Sequence, residues 1–261
     1  MNVRWIALCT LASGCLASAQ LAAPTAGWTV DARQSARPVL GFGGNYWLGH
    51  GGVSGVLSAA FSTSLGILKT GSTLLVLDAS GRVILREDAP DGPAIIGFSA
   101  QGKSALIYYP KNGGMARLDG SRFAAVASPW IDGDVVSVAQ PDPSHAFFVL
   151  RRAGTLWKVE IRLADGATTS SEPFAGMKEP VLVQPDGSLL FQRAGNLVAR
   201  APGGAEASTR SEFRAGSLFP MGNGWIQVNE APVDHKSAAR HFAWNPSLAH
   251  PQVFQLPEGE R

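Results

Sequence analysis

Between Glu179 and Gly204 the chain reads EPVLVQPDGSLLFQRAGNLVARAPGG. An apolar run over 181–183 meets a Pro185-Asp186-Gly187 turn. A second run over 189–192 meets a turn at Ala194-Gly195-Asn196, and a third run follows over 197–200. Short apolar runs punctuated by Pro, Asp, Asn and Gly predict antiparallel strands joined by tight hairpins. Looser copies of this cassette occupy 65–88, 94–128, 135–166 and 217–246. The turn after the second strand of each copy is placed at Gly81, Gly113, Gly154, Gly195 and near Lys236. The first step in that series is the shortest, and the later ones are equal.

A period of about 40 residues, with three or four short strands per copy and no helical periodicity, predicts an all-β chain folded as a single β-propeller. A two-sheet sandwich is the alternative. The short first step implies that the first copy lacks its outer strand or takes it from elsewhere. Residues 28–64 read as a degenerate further copy. With the five visible ones they make six blades, five being the alternative. Alternating apolar positions such as Leu189 and Phe191, or Phe147 and Val149, are expected to pack one blade on the next.

The N-terminus changes the picture. Arg4, the apolar run Trp5 to Leu16 and Ala17-Ser18-Ala19 before Gln20 have the three parts of a secretory signal peptide over 1–19. The propeller domain is then 20–261, with 20–64 its degenerate N-terminal blade or closing segment. Leu11-Ala12-Ser13-Gly14-Cys15 supports a second export reading, a lipoprotein box anchored by an acyl chain at Cys15. Either way the expected location is periplasmic or secreted. Cys9 and Cys15 are the chain's two cysteines, so a chain cleaved before Gln20 holds neither disulfide nor thiol chemistry. No later stretch approaches the ~18 apolar residues of a transmembrane helix. Only 16% of residues are charged, and the net charge of +2 is dispersed. Nucleic acid is therefore not an expected partner.

Gln184-Pro185-Asp186-Gly187-Ser188-Leu189-Leu190-Phe191 followed by Gly195-Asn196-Leu197 resembles the repeat of TolB-like and related WD-repeat-like bacterial propellers. Pro141 to Phe148 is a looser copy and Ser99 to Lys103 looser still. The Trp-Ser that often precedes the motif is absent from every copy. The resemblance is best over 94–204, and it implies a fold rather than an activity, because such propellers serve as docking platforms, sensors and enzymes alike.

Candidate chemistry is sparse. Gly41 to Gly55 holds seven glycines, yet neither phosphate-loop spacing is present. His50-Gly51-Gly52 is like an esterase oxyanion loop, but the nucleophile elbow is missing. The expected binding face carries the loops from outer strand to next inner strand and from second strand to third. It would present Asp88, Asp91, Lys111, Asn112, Lys178, Glu179, Arg193, Asp234, His235 and Lys236. Its most suggestive cluster is Trp130, Asp132 and Asp134, an aromatic platform beside two carboxylates that suits a sugar ring or acid–base glycoside chemistry. A plain polar turn is the simpler alternative. Asp132-Gly133-Asp134 lacks the further ligands of a calcium loop. Arg151 and Arg152 have the makings of a clamp for phosphate or carboxylate. His50, His145, His235, His241 and His250 are scattered, without zinc spacing.

The predicted inner strands (95–99, 135–139, 181–184 and 218–221) contain no Asp or Glu, which disfavours catalysis in the channel. The expectation is thus an exported, non-enzymatic, monomeric scaffold for a protein or polysaccharide partner, with no cofactor and no metal. A carbohydrate-active propeller enzyme, hydrolase or lyase, is the alternative.

Overall fold

The computed structural model describes residues 23–127, 131–232, 240–247 and 251–258. Among them there are strands and turns and no helix. Three four-stranded meanders follow one another: β8 (Ile95–Phe98) to β9 (Ser104–Tyr109), β10 (Gly114–Asp119) and β11 (Arg122–Val126); β12 (Asp134–Asp142) to β13 (His145–Arg152), β14 (Thr155–Arg162) and β15 (Thr168–Phe174); and β16 (Val181–Val183) to β17 (Leu189–Arg193), β18 (Asn196–Arg200) and β19 (Glu206–Arg210).

An eight-stranded sheet combines two further meanders. One is β4 (Ser58–Phe61), β5 (Leu65–Lys69), β6 (Thr73–Asp78) and β7 (Val83–Asp88). The other is β20 (Ala215–Gly222), β21 (Trp225–Glu230), β22 (His241–Trp244) and β23 (Val253–Gln255). They are joined by one parallel pair, Met221 with Phe61. The same kind of parallel bridge links Ser99 to Gln140, between β8 and β12. A three-stranded sheet, β1 (Thr25–Val30), β2 (Ala36–Phe42) and β3 (Asn45–Leu48), precedes them all.

The arrangement is propeller-like. The first strands lie side by side in chain order, β4 on β8, β8 on β12, β12 on β16 and β16 on β20, and β20 returns to β4. Hydrophobic clusters fill the spaces between consecutive sheets. Leu189, Phe191 and Val149 share one such cluster, with Phe147 packed against it, so their alternation packs neighbouring blades. The β1–β3 sheet enters this cycle as a wedge. Val39 packs with Met221 and Ala243 of the C-terminal meander, whereas Ala36, with Trp28 alongside, packs on Phe61, Leu68 and Leu75 of the β4–β7 meander. Trp28 stacks on Phe61 with ring centroids 5.9 Å apart.

The regular spacing of the turns has a local cause. Arg152–Thr155 and Arg193–Asn196 are hairpin ends with two residues between them. Those residues, Ala153-Gly154 and Ala194-Gly195, all have positive φ. This is the tight turn whose twist suits antiparallel strands, and glycine at its second position adopts it without strain. The equivalent turn of the β4–β7 meander, between β5 and β6, contains Gly71 rather than Gly81; Gly81 lies between β6 and β7. Measured from Gly71, the step to Gly113 agrees with the later steps to within a single position, so the first copy is full length. Its outer strand, expected to be missing, is β7; the strand left out of 65–88 is the inner one, β4, which the sequence pattern assigned to the unit before it. Ser58 to Phe61 is too short to read as a strand alone; burial against β8 makes it one.

Candidate functional site

Two of the first strands end at Asx turns. After β16, Asp186 accepts hydrogen bonds from the Ser188 backbone N–H (2.9 Å) and hydroxyl (2.6 Å). After β12, Asp142 accepts from the backbone N–H groups of Ser144 and His145. Such Asx turns close a loop without help from the sheet. After β4, the Ser62 hydroxyl reaches the carbonyl of Gly102, 2.8 Å away in the next meander, and ties the two rims together.

Around these turns the first strands splay into a funnel of about 700 Å³. Phe61, Phe98, Ala139, Val183 and Pro220, one from each first strand, line it. The funnel continues as a groove between the β18–β19 turn and the C-terminal meander, past Ala201, Ala207 and Asn223. β8, β12 and β16 are each the terminal strand of their sheet, so their inner edges turn backbone donors and acceptors toward the channel. Among the described residues, the ionisable ones lining the funnel are Asp186, Arg200 and Glu206. All three are engaged: Asp186 in its turn, Glu206 with the guanidinium of Arg193, and Arg200 over the ring of Phe174 (5.3 Å to its centroid) and beside Glu172.

Asp132, Asp134, Arg151 and Arg152, singled out by sequence, lie at the other end of the strands. Asp134 begins β12, and Arg151 and Arg152 close β13. Arg151 donates to Asp134 and to Glu179, at 2.8 Å each. The hydrogen bond to Asp134, followed by the charge of Glu179, raises the pKa of Arg151. Arg152 donates to the Asp132 carbonyl, and its guanidinium lies 5.9 Å from the centroid of the Trp157 ring. Trp130, Asp234, His235, Lys236 and His250 lie outside the described residues. An incoming anion would have to displace two carboxylates from Arg151, and Asp134 and Glu179 are bridged by that guanidinium rather than free to share a proton. Among the described residues no group of three or more His, Cys, Asp or Glu is placed to hold a metal ion.

A second, smaller chamber of about 190 Å³ lies beneath the wedge, between β1, β4 and β20. Gln227, 2% exposed, holds the wedge there. Its carbonyl accepts from the Thr29 hydroxyl (2.8 Å) and the Val30 N–H, and its amide donates to the Val30 carbonyl. Neither this chamber nor the funnel was visible in sequence. Each is a meeting of strands far apart in the chain, and the only local signs of the funnel are the turn-forming Asp186 and Ser62.

No protein-family profile matches the sequence, and no curated protein does. Solved structures match the fold. TolB from Acinetobacter baumannii aligns with a TM-score of 0.56 at 15% identity, over 89% of this chain and 62% of that one, so the chain spans less than two thirds of that TolB. A streptogramin B lyase aligns at 0.51 and 13% identity, over 89% and 80%. A chain of a nidogen/laminin complex aligns at 0.53 and 7% identity, over 87% and 92%. The TolB-like β-propeller resemblance therefore holds for the fold. Identities this low say nothing of activity.

Proposed function

We propose that this chain is an exported, non-enzymatic propeller that binds an extended polymer, in the first place a stretch of polypeptide, in the funnel. The observation that carries the reading is the funnel's chemistry: apolar walls, first strands whose inner edges are unpaired within their own sheets, and, among the described residues, lining ionisable groups that each already have a partner. Strand edges hydrogen-bond an extended backbone whatever its side chains, and apolar walls favour alternate side chains. The carbohydrate-enzyme alternative requires a carboxylate pair across a sugar, and the engagement of Asp134, Glu179, Asp186 and Glu206 speaks against it.

Five four-stranded blades meeting at the channel, with β1–β3 as a partial sixth blade, is the count we adopt. It is supported by the closed order of first strands and by the wedge's packing on both neighbours.

Blocking the rim tests the site. Ala201 is exposed on the funnel edge, so Ala201→Trp should leave stability within about 0.5 kcal/mol. Peptides selected from a displayed random library on the wild-type protein should bind this variant at least about tenfold more weakly, a loss of ~1.4 kcal/mol. Lys111→Trp, on the opposite face, should bind them normally. Equal binding by Ala201→Trp removes the funnel from the account.

Export is supported by the pattern over 1–19. Fractionation of cells expressing the full chain should recover the protein outside the cytoplasm, shortened at its N-terminus. Labelling with a fatty-acid analogue decides between cleavage before Gln20 and an acyl anchor on Cys15. Recovery of the full-length chain in the cytoplasm contradicts export.

A further inference from the structure

The seam between the β4–β7 and β8–β11 meanders opens outward into a groove of about 300 Å³. Strand register says which side chains enter it. On one side Glu87 stands directly opposite Leu74, and cross-strand partners share a face. Leu74 belongs to the cluster that fills this seam, together with Tyr109 and Leu118, so Glu87 lies outboard of that core on the same face. On the other side Gly114 pairs with Tyr109, Ala116 with Ala125 and Leu118 with Phe123. Positions 114, 116 and 125 offer no more than a methyl group, which leaves the seam unfilled between Glu87 and Tyr109. Phe123, packed against the same cluster, also lines the groove.

Two polar groups of this groove lack partners. Glu87 is exposed and makes no ion pair among the described residues, whereas Asp134, Glu179, Glu206 and Glu230 each face an arginine. Asp88 lines the groove as well, and among the described residues no lysine, arginine or histidine does, so the field there is negative. Tyr109 is 7% exposed, and its hydroxyl takes part in no hydrogen bond among the described residues. A hydroxyl so nearly buried costs stability until it finds a partner. Among the described residues the unpartnered side-chain atoms closed to water are Gln140 Oε1 and His241 Nε2. The Tyr109 hydroxyl is not one of them: it opens on the groove that Tyr109 lines. Burial, and then the charge of Glu87, push its pKa up to about 12, so at neutral pH the phenol keeps its proton and both donates and accepts.

We propose that this groove binds a short aliphatic amino alcohol. Its ammonium group pairs with the Glu87 carboxylate, its hydroxyl exchanges a hydrogen bond with Tyr109, and its methylene stem lies on Ala116, Ala125 and the Phe123 ring. The charge-assisted bond fixes one end, the phenol fixes the other, and each methylene laid on the apolar wall leaves water. A volume of about 300 Å³ is room for roughly ten waters, and so for a stem of about three to six carbons. An anion would be repelled by Glu87 and Asp88, and an uncharged chain would leave the carboxylate unpaired.

Amide chemical-shift titrations of the folded chain with aminoalkanols from 3-aminopropan-1-ol to 6-aminohexan-1-ol test the site and find the stem length that spans it. The best of them should saturate, with shifts centred on Glu87, Ala116 and Phe123. The diol of the same length, which lacks the charge, and the alkylammonium ion, which lacks the hydroxyl, should each bind at least about tenfold more weakly. Glu87→Gln, an exposed substitution, should weaken the amino alcohol by a similar factor. Tyr109→Phe removes only the unpartnered hydroxyl, so the variant should fold. It should bring the amino alcohol down to the affinity of the alkylammonium ion, whose own binding it leaves unchanged. No saturable binding by any member of the series, shifts centred elsewhere, equal binding of the diol, or indifference to either variant would each overturn the proposal. None of these outcomes bears on the funnel.

Discussion

Replacing Gly97 with alanine should destabilise the protein by about 3 kcal/mol, the upper part of the range for overpacking a fixed backbone. Gly97 is on β8, where the sheet crosses closest to β12. A Cβ there would run into the carbonyl of Val138 and come within 2.8 Å of the Ala139 Cα. These are backbone atoms of the neighbouring first strand, held by pairing with β13, so neither a rotamer change nor a side-chain shift relieves the clash. For a chain of this size the melting temperature should fall by roughly 6–12 °C. Gly71→Ala is the control. It is a turn glycine with nothing near its missing Cβ, and it should move stability by no more than about 0.5 kcal/mol. A Gly97→Ala protein that melts with the wild type would show that the first strands are not packed backbone against backbone.

Gln227→Leu should cost nearly as much, about 2–3 kcal/mol, because it strips partners from the buried Thr29 hydroxyl and from both polar groups of the half-buried Val30. Its effect should be local in a way that Gly97→Ala is not. Thr29 and Val30 belong to the wedge, and Gln227 to the C-terminal meander. Amide hydrogen exchange should therefore accelerate first over β1–β3, where Val30 pairs with Ala36 and Trp28 with Pro38, while β12–β15 keeps its protection. Uniform loss of protection across all sheets would mean that the wedge is not a separate closing element.

Much of the fold was legible because it is built from local signals. A Gly or Asn at each tight turn, Asp at the Asx turns and period-two apolar runs repeat often enough to reveal an all-β repeat architecture. Two features escaped for physical reasons. β4 is four residues, Ser-Ala-Ala-Phe, and owes its state to its neighbours rather than to propensity. The glycine-rich stretch 41–55 reads as a turn-rich loop or an irregular strand; β2 and β3 form a hairpin with Gly43 and Gly44 at its tip.

The site was less legible than the fold. Sequence reasoning looks for charged and aromatic clusters, and it found Asp132, Asp134, Arg151 and Arg152. At the blade junction Asp134 pairs with Arg151, and Arg152 donates to the backbone carbonyl of Asp132. The funnel is walled by residues such as Ala139, Val183 and Pro220, which look ordinary in sequence. They become a site only when the first strands of successive repeats converge.

The account stands or falls on which end of the channel meets the partner. Photo-crosslinking from single unnatural residues in producing cells tests it most directly, with the probe placed at Ala201, Ala207 and Asn223 on the funnel rim and at Lys111, Asp132 and Arg152 on the opposite face. We expect a polypeptide crosslinked from the rim positions, competed away by peptides selected on the purified protein, and nothing specific from the opposite face. Specific crosslinks from Lys111, Asp132 or Arg152, with a silent rim, would contradict it and return the binding surface to the loops around Arg151.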